Sequence, residues 1–555
     1  MAKKMEYDYI VCGGGTSGCV VASRLAEDPT ISVLLIEAGE NCLDIIGSQM
    51  SGGMQQLLGG PHDWDFYSTP QPHAADREIS LTRGKFLGGS SGINGTLCIR
   101  GTKQDYDDWG VPGWSGEEML AAMKKAERFR GKDWFEVRKD VHGFGGPVSV
   151  EPHDLAPISE KVMESFQDLG FPLDHDMFST GERAHGCGHA PRTVHNGVRT
   201  TAAEYTRGWE SKKNFTILFK TQVSKVNLTQ TPTGLRATSV NTITPDNSQP
   251  VTYTARHEII LSAGTYCTPT ILLRSGIDHL IVFVPYEVPP GLTHDDKIYP
   301  PEAMKATYEE WVSKKTGILA SFPFGGFAYA RLDERLKDCE EWNSAKTTDR
   351  DPMGLTKNQP NIEFWSTEAC VGPRELPPAQ GKNAFAMVTE LFSPHSRGSV
   401  TLASPDPFAK PVIDHNYLSH PLDLLVLAEG VRLGNEVVMQ GRGTKDLVLG
   451  SYPEELVKHH LYTTREEWIP FVRNGATTCY RPVGTCKMGS ASGGGGVDES
   501  IVVDEKLRVR GVEGLRVVDA SIMPKIPNGH TCMPAYGIGE LGVGILRGGG
   551  EGGEG

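Results

Sequence analysis

The first thirty-seven residues constrain this chain most. Tyr7-Asp8-Tyr9-Ile10-Val11-Cys12 reads as a short strand that empties into Gly13-Gly14-Gly15-Thr16-Ser17-Gly18. A helix-prone stretch follows, and a second apolar run, Val33-Leu34-Leu35-Ile36, stops at Glu37. Strand, glycine turn, helix, strand and acid in this order form the pattern of a dinucleotide site. Gly13 permits the tight turn, Gly15 lets backbone approach a pyrophosphate, and Gly18 lets the helix lie close to the strand. The helix N-terminus at Thr16 and Ser17 offers N–H groups and a positive dipole end to phosphates. Glu37 stands where a carboxylate accepts from ribose hydroxyls and repels a 2′-phosphate. A glycine-rich turn in an unrelated α/β domain is the competing reading; the ordered flanks weigh against it.

At 555 residues the chain exceeds one ordinary core, so two domains or one elaborate one are expected. A net charge of −14 without a long basic block argues against a nucleic-acid partner. No apolar stretch reaches membrane-spanning length, and Met1 to Glu6 run straight into the first strand. With no room for a signal peptide, a cytoplasmic location is expected. Eleven cysteines, an odd count without zinc-ribbon spacing, read as free thiols in a reducing compartment. His185-Gly186-Cys187-Gly188-His189 carries metal-type donors, but its glycines read as a flexible loop, so no metal is expected.

Patterning predicts helices over 116–130, 158–169 and 420–440, the last opened by Pro421 and Asp423. Residues 215–219 and 223–228 read as paired strands, 258–262 and 515–519 as buried strands, and 383–403 and 411–417 as strands of a second sheet. Residues 285–350 show weak periodicity. The glycine- and glutamate-only tail, 548–555, has a disordered composition.

Several blocks, in order along nearly the whole chain, resemble the glucose–methanol–choline (GMC) flavoprotein oxidoreductases. Gly84-Lys85-Phe86-Leu87-Gly88-Gly89-Ser90-Ser91-Gly92-Ile93-Asn94 is similar to the family's first signature, and Gly264-Thr265-Tyr266-Cys267-Thr268-Pro269 through Leu273-Arg274-Ser275-Gly276-Ile277 to its second. Pro482-Val483-Gly484-Thr485-Cys486-Lys487-Met488-Gly489 and Leu515 to Pro524 resemble its C-terminal blocks, and Ser396-Arg397-Gly398-Ser399-Val400 an edge of its substrate sheet. The resemblance implies an α/β fold: a Rossmann-like FAD-binding domain and a substrate domain on a mostly antiparallel sheet. The implied FAD-binding segments are 1–154, 206–284 and 479–546, the substrate segments 155–205 and 285–478, with 547–555 as tail. Gly88, Gly89, Ser90 and Asn94 would let backbone lie against the flavin and diphosphate. Val223 matches the position whose backbone meets the adenine, and Asp519 an acid near the diphosphate and ribityl chain; core or capping roles remain open for both. Ile93 stands where members with a histidine-linked flavin carry that histidine, so FAD is expected to be non-covalent.

The resemblance also implies the chemistry, hydride transfer from a CH–OH or formate-like donor to flavin N5. The family normally writes His-Pro-Val-Gly-Thr; this chain has Arg481 before Pro482. Arginine cannot take a proton at neutral pH. The second active-site position is His530, leaving one candidate base and one fixed cation. Arg481 could bind a carboxylate, stabilise an alkoxide, or stabilise the anionic reduced flavin. Formate oxidases in the family also pair one His with one Arg, in the opposite order. The expected partners are a small molecule, possibly carboxylate-bearing, and oxygen or another electron acceptor. Two alternatives stand beside this: a flavin-containing lyase, and an impaired relative. The second draws on a family block that is absent between Ile277 and Asp278-His279, and on Gly537, Gly539, Gly542 and Gly544, which weaken a C-terminal helix.

Overall fold

The computed structural model describes residues 5–208, 211–272, 280–321, 324–370, 381–453, 457–490, 498 and 500–548. The opening strand is β1 (Glu6–Cys12), and Val33–Ile36 forms β2 with every residue buried, as a strand covered on both faces requires. Between them runs α1 (Thr16–Leu25), so the predicted strand–turn–helix–strand unit forms as read. With β3 (Phe215–Leu218), β4 (Gln222–Thr231), β5 (Gly234–Thr244) and β6 (Asn247–Leu261), these strands make an eight-stranded sheet in the order β3-β2-β1-β6-β5-β4. The Leu515–Val517 strand joins β6 in parallel, and Val512–Glu513 borders β5. From β3 to β6 neighbours are parallel; β6, β5 and β4 form an antiparallel meander.

One strand pairing differs from expectation. Residues 215–219 and 223–228 do not pair; β3 borders β2 and β4 pairs with β5, at opposite ends of the sheet. The ten-residue β4 closes a local hairpin onto β5 through Pro232-Thr233, while β3 matches β2 in length and in parallel register.

Helix α2 (Gly116–Ala126) opens on a Ser115/Glu118 capping box and ends four residues short of the predicted 130, because Glu127–Phe129 turns extended to pair with Val148–Val150. The second sheet has seven strands. Its centre is β7 (Leu280–Val288), β8 (Phe324–Ala330), β9 (Ile362–Thr367) and β10 (Asn383–Leu391), antiparallel in the order β7-β10-β9-β8. Short strands at Gly450–Ser451 and Thr477–Thr478 pair with β7. Helix α3 (Pro421–Gln440), begun by Pro421 as read, buries Leu424, Leu427, Val431 and Leu433 and packs on β10.

Other expectations change here. Gly186–Gly188 is an edge strand on β8, not a flexible loop, and its flanking histidines part: His185 packs on Phe171 and His189 stacks on His175. Ser399–Thr401 and Val412–Asp414 form a two-stranded sheet of their own. The weakly periodic 285–350 stretch holds β8 and the Pro301–Lys314 helix. The reading of the eleven cysteines does not change: none of them is disulfide-bonded.

The glycine-punctuated C-terminus is a fifteen-residue helix, α4 (Cys532–Leu546), against the expectation of a weakened one. Packing overrides propensity: a Cβ at Gly539 would lie 2.8 Å from Val20 Cβ, and one at Gly542 2.8 Å from Val518 Cγ1. The glycines let α4 settle onto α1 and α2. Leu273 to His279, the segment from which the sequence reading expects a family block to be missing, and the last seven residues lie outside the described residues. No helix among the described residues is long and apolar enough to cross a membrane.

Candidate active site

A cavity of about 520 Å³ runs from the glycine turn after β1 to the ends of both sheets. Gly13, Gly15, Thr16, Ser17, Glu37, Gly89, Ser90, Asn94, Val223 and Asp519 line it, and so do Arg481 and His530. The remaining two predicted positions support the wall from behind. A Cβ at Gly18 would lie 1.9 Å from the Gly13 carbonyl oxygen. Gly88, at φ +95°, donates its N–H to the Gly14 carbonyl (2.7 Å) and so ties the first signature to the turn.

Local bonds decide what each wall residue has left to offer. Glu37 accepts from Gly14 N–H (2.9 Å) on one oxygen and Gly39 N–H (2.7 Å) on the other, keeping acceptor capacity on both. Burial raises its carboxyl above the ordinary value. Ser17 Oγ donates to the Ala535 carbonyl (2.7 Å), which fastens α1 to α4 and leaves its backbone as the cavity-facing donor. Asn94 Oδ1 accepts from Arg199 Nη1 (2.8 Å) and Thr96 N–H (2.9 Å). Asp519 takes Gly264 N–H, Thr268 Oγ, Ser521 N–H and Ser521 Oγ on its two oxygens, so it caps the Ala520–Ile522 turn and fixes the Gly264 loop.

Arg481 and His530 arrive from different elements. The chain leaves the Thr477–Thr478 strand, and Tyr480 adopts φ +58°, a left-handed conformation that turns Arg481 inward. Arg83 Nη1 donates to the Tyr480 carbonyl (2.7 Å), and Tyr480 N–H donates to Thr478 Oγ (2.8 Å). His530 precedes α4; its N–H donates to the Ile99 carbonyl (2.8 Å). Gly529 permits this approach, since a Cβ there would lie 2.3 Å from Gly101 N.

Two residues that sequence reasoning missed complete the group. Glu363 on β9 and Glu390 on β10 face each other in the ladder, and both are fully buried. Arg481 Nη1 donates to Glu390, and Nη2 lies 2.7 and 3.0 Å from the two ring nitrogens of His530. His530 Nε2 is 2.9 Å from Glu363 Oε2. Burial and the Glu390 charge hold the Glu363 carboxyl well above the usual range, which favours its protonated form. Trp365, two residues beyond Glu363, sets its ring edge-on to His530 at 6.3 Å. The available signal was a charged residue inside an otherwise apolar strand, as in Ile362-Glu363-Phe364-Trp365 and Val388-Thr389-Glu390-Leu391.

The profiles of GMC oxidoreductases match residues 7–286 and 394–539. This chain belongs to the GMC oxidoreductases. It is 32% identical over 581 aligned positions to the oxygen-dependent choline dehydrogenase of Escherichia coli O17:K52:H18 (strain UMN026 / ExPEC), with 98% of this chain and 96% of that one covered. A formate oxidase from Aspergillus oryzae RIB40 superposes at TM-score 0.90 and 25% identity, over 99% of this chain and 100% of that one. The pyridoxine 4-oxidase from Mesorbium loti, at 23% identity and TM-score 0.79, shares the fold. GMC oxidoreductases are FAD flavoproteins, and the residues here fit that cofactor. A Cβ at Gly13 would lie 2.5 Å from the Ser262 carbonyl oxygen, and one at Gly89 2.8 Å from Gly15 Cα, so the cradle is walled by bare backbone. Glu37 has acceptor capacity beside it.

Proposed function

We propose that this GMC oxidoreductase oxidises a small CH–OH or formate-like donor, with His530 removing the proton and Arg481 stabilising the oxyanion. The observation that carries the reading is the meeting of these side chains in the cavity whose other wall is the dinucleotide turn. FAD, when bound, supplies the two-electron acceptor. It would rest on Gly13, Gly15, Thr16, Ser17, Gly89 and Ser90, with Glu37 toward a ribose, Val223 toward the adenine, and Asp519 holding the Gly264 loop. Ile93 at the wall supports non-covalent binding. We also assign 1–154, 206–284 and 479–546 to the FAD-binding part and 155–205 and 285–478 to the substrate part, with β7 bridging the 284/285 boundary.

A donor hydroxyl must lose its proton as the C–H bond is given up, so a base has to stand within hydrogen-bond reach. His530 has that chemistry, and Glu363 at 2.9 Å fixes its ring. Arg481 cannot accept the proton; its N–H groups stabilise negative charge that develops on the donor oxygen. Trp365, Phe324 and Leu97 line the cavity with apolar surface that excludes water. The choline dehydrogenase relative, oxygen-dependent by name, supports oxygen as acceptor.

The test is the visible spectrum of the FAD-loaded protein before and after anaerobic addition of formate and a panel of primary alcohols. Bleaching is expected with at least one donor; a flavin that stays oxidised with all of them overturns the reading. His530→Ala should keep the flavin bound and slow bleaching by about 10²–10⁴-fold. Bleaching at the parent rate would place the base elsewhere.

A further inference from the structure

We propose that Glu390 sets the charge preference of this site: by neutralising Arg481 it makes the cavity favour an uncharged donor over a carboxylate. The inference rests on the reading of Arg481 as a substrate-facing group. An unencumbered arginine would clamp a carboxylate with two parallel N–H bonds. Here the fork is engaged. Nη1 donates to Glu390 and to the Gly529 carbonyl (3.3 Å), and Nη2 lies against the His530 ring.

Glu390 is held in place for this role. It is fully buried on β10, in register with Glu363 on one side and Ile281 on the other. Cys479 Sγ donates to its second oxygen (3.3 Å). An arriving carboxylate would have to share Arg481 with a buried carboxylate, or displace it and leave that charge without its cation. One ligand-type atom from each of Glu363, Glu390 and His530 lies within 4.8 Å of the others, a spacing that would suit a metal ion, but the Arg481 guanidinium already supplies the cation. Arg481 with Glu390 cancels in charge, and a neutral hydroxyl asks for no further counterion. Glu390 is thus a positioning residue acting through Arg481.

The experiment titrates the FAD-loaded protein with acetate and with acetamide, neutral and nearly isosteric, by calorimetry at neutral pH. The parent should bind acetate no more tightly than acetamide. Glu390→Gln keeps the shape and removes the charge; it should tighten acetate by about ten-fold or more while acetamide moves less than about three-fold. Glu390→Asp should keep the parent preference. Acetate bound about ten-fold tighter than acetamide by the parent overturns the proposal. So does an unchanged ratio in Glu390→Gln, or no acetate binding in either protein. Should Glu390→Gln fail to fold, the parent ratio and the Asp variant still decide. Binding needs no turnover, so failure of donor oxidation and failure of this proposal are read separately.

Discussion

Arg481 is held by backbone as much as by its partners. The left-handed Tyr480 and the Arg83 bond to its carbonyl set the direction in which the guanidinium points. Glu363 carries a consequence for pH. Its folded-state carboxyl titrates well above the ordinary value of 4.5, because burial and Glu390 disfavour its charge. Between those two points the folded state keeps a proton that the unfolded state has released, so stability falls as pH rises. Below the ordinary range both states are protonated, the slope vanishes and the contribution is fully present. Glu363→Gln removes the titration, so its denaturation midpoint should decline less steeply with pH than the parent's above that range. Identical slopes in urea melts across the acid-to-neutral range would mean that Glu363 is ionised in the folded protein.

Among elements, α4 makes the clearest comparison, because its glycines do different jobs. Gly539 lies against Val20 and Ser17, and an added methyl there meets Val20 Cβ at 2.8 Å. Gly539→Ala should therefore destabilise by about 1–3 kcal/mol through overpacking. Gly544 is exposed, and nothing lies within 4 Å of an added Cβ. Gly544→Ala should stabilise by up to about 1 kcal/mol by reducing the freedom of the unfolded chain. Thermal melts of the two single variants check both signs; equal effects would show that α4 does not owe its glycines to the contact with α1. Composition made this helix look weak because intrinsic propensity counts each glycine alike, whereas burial separates those that let backbones approach from the one that faces water.

Across the whole molecule, the cavity draws its wall from both sheets: Gly13 and Glu37 from the first, Ile281 and Trp365 from the second. FAD bound there should stabilise both in one step. At about one hundred times the dissociation constant, the gain is about 2.7 kcal/mol. Differential scanning calorimetry of protein with and without added FAD should show one transition moving upward. A shift confined to one of two transitions would mean that the sheets melt independently.

What the sequence determined by itself was local and short in range. The Gly13–Glu37 unit, the start of α2 at Gly116 and the start of α3 at Pro421 each depend on residues a few positions apart, so their signals survive in one dimension. That the motif residues line one cavity was legible for the same reason, as motifs carry their own backbone geometry. The exchange of partners by β3 and β4, and the burial of α4, were not, since both depend on which surfaces compete for contact after folding. The acid pair was hidden as well. Glu363 and Glu390 become neighbours only through the register of β9 on β10, and Arg481 meets them only after the turn at Tyr480. Sequence named a cation and a base; tertiary structure decided that the cation arrives already balanced, because net charge at a site belongs to the set of groups that packing brings together.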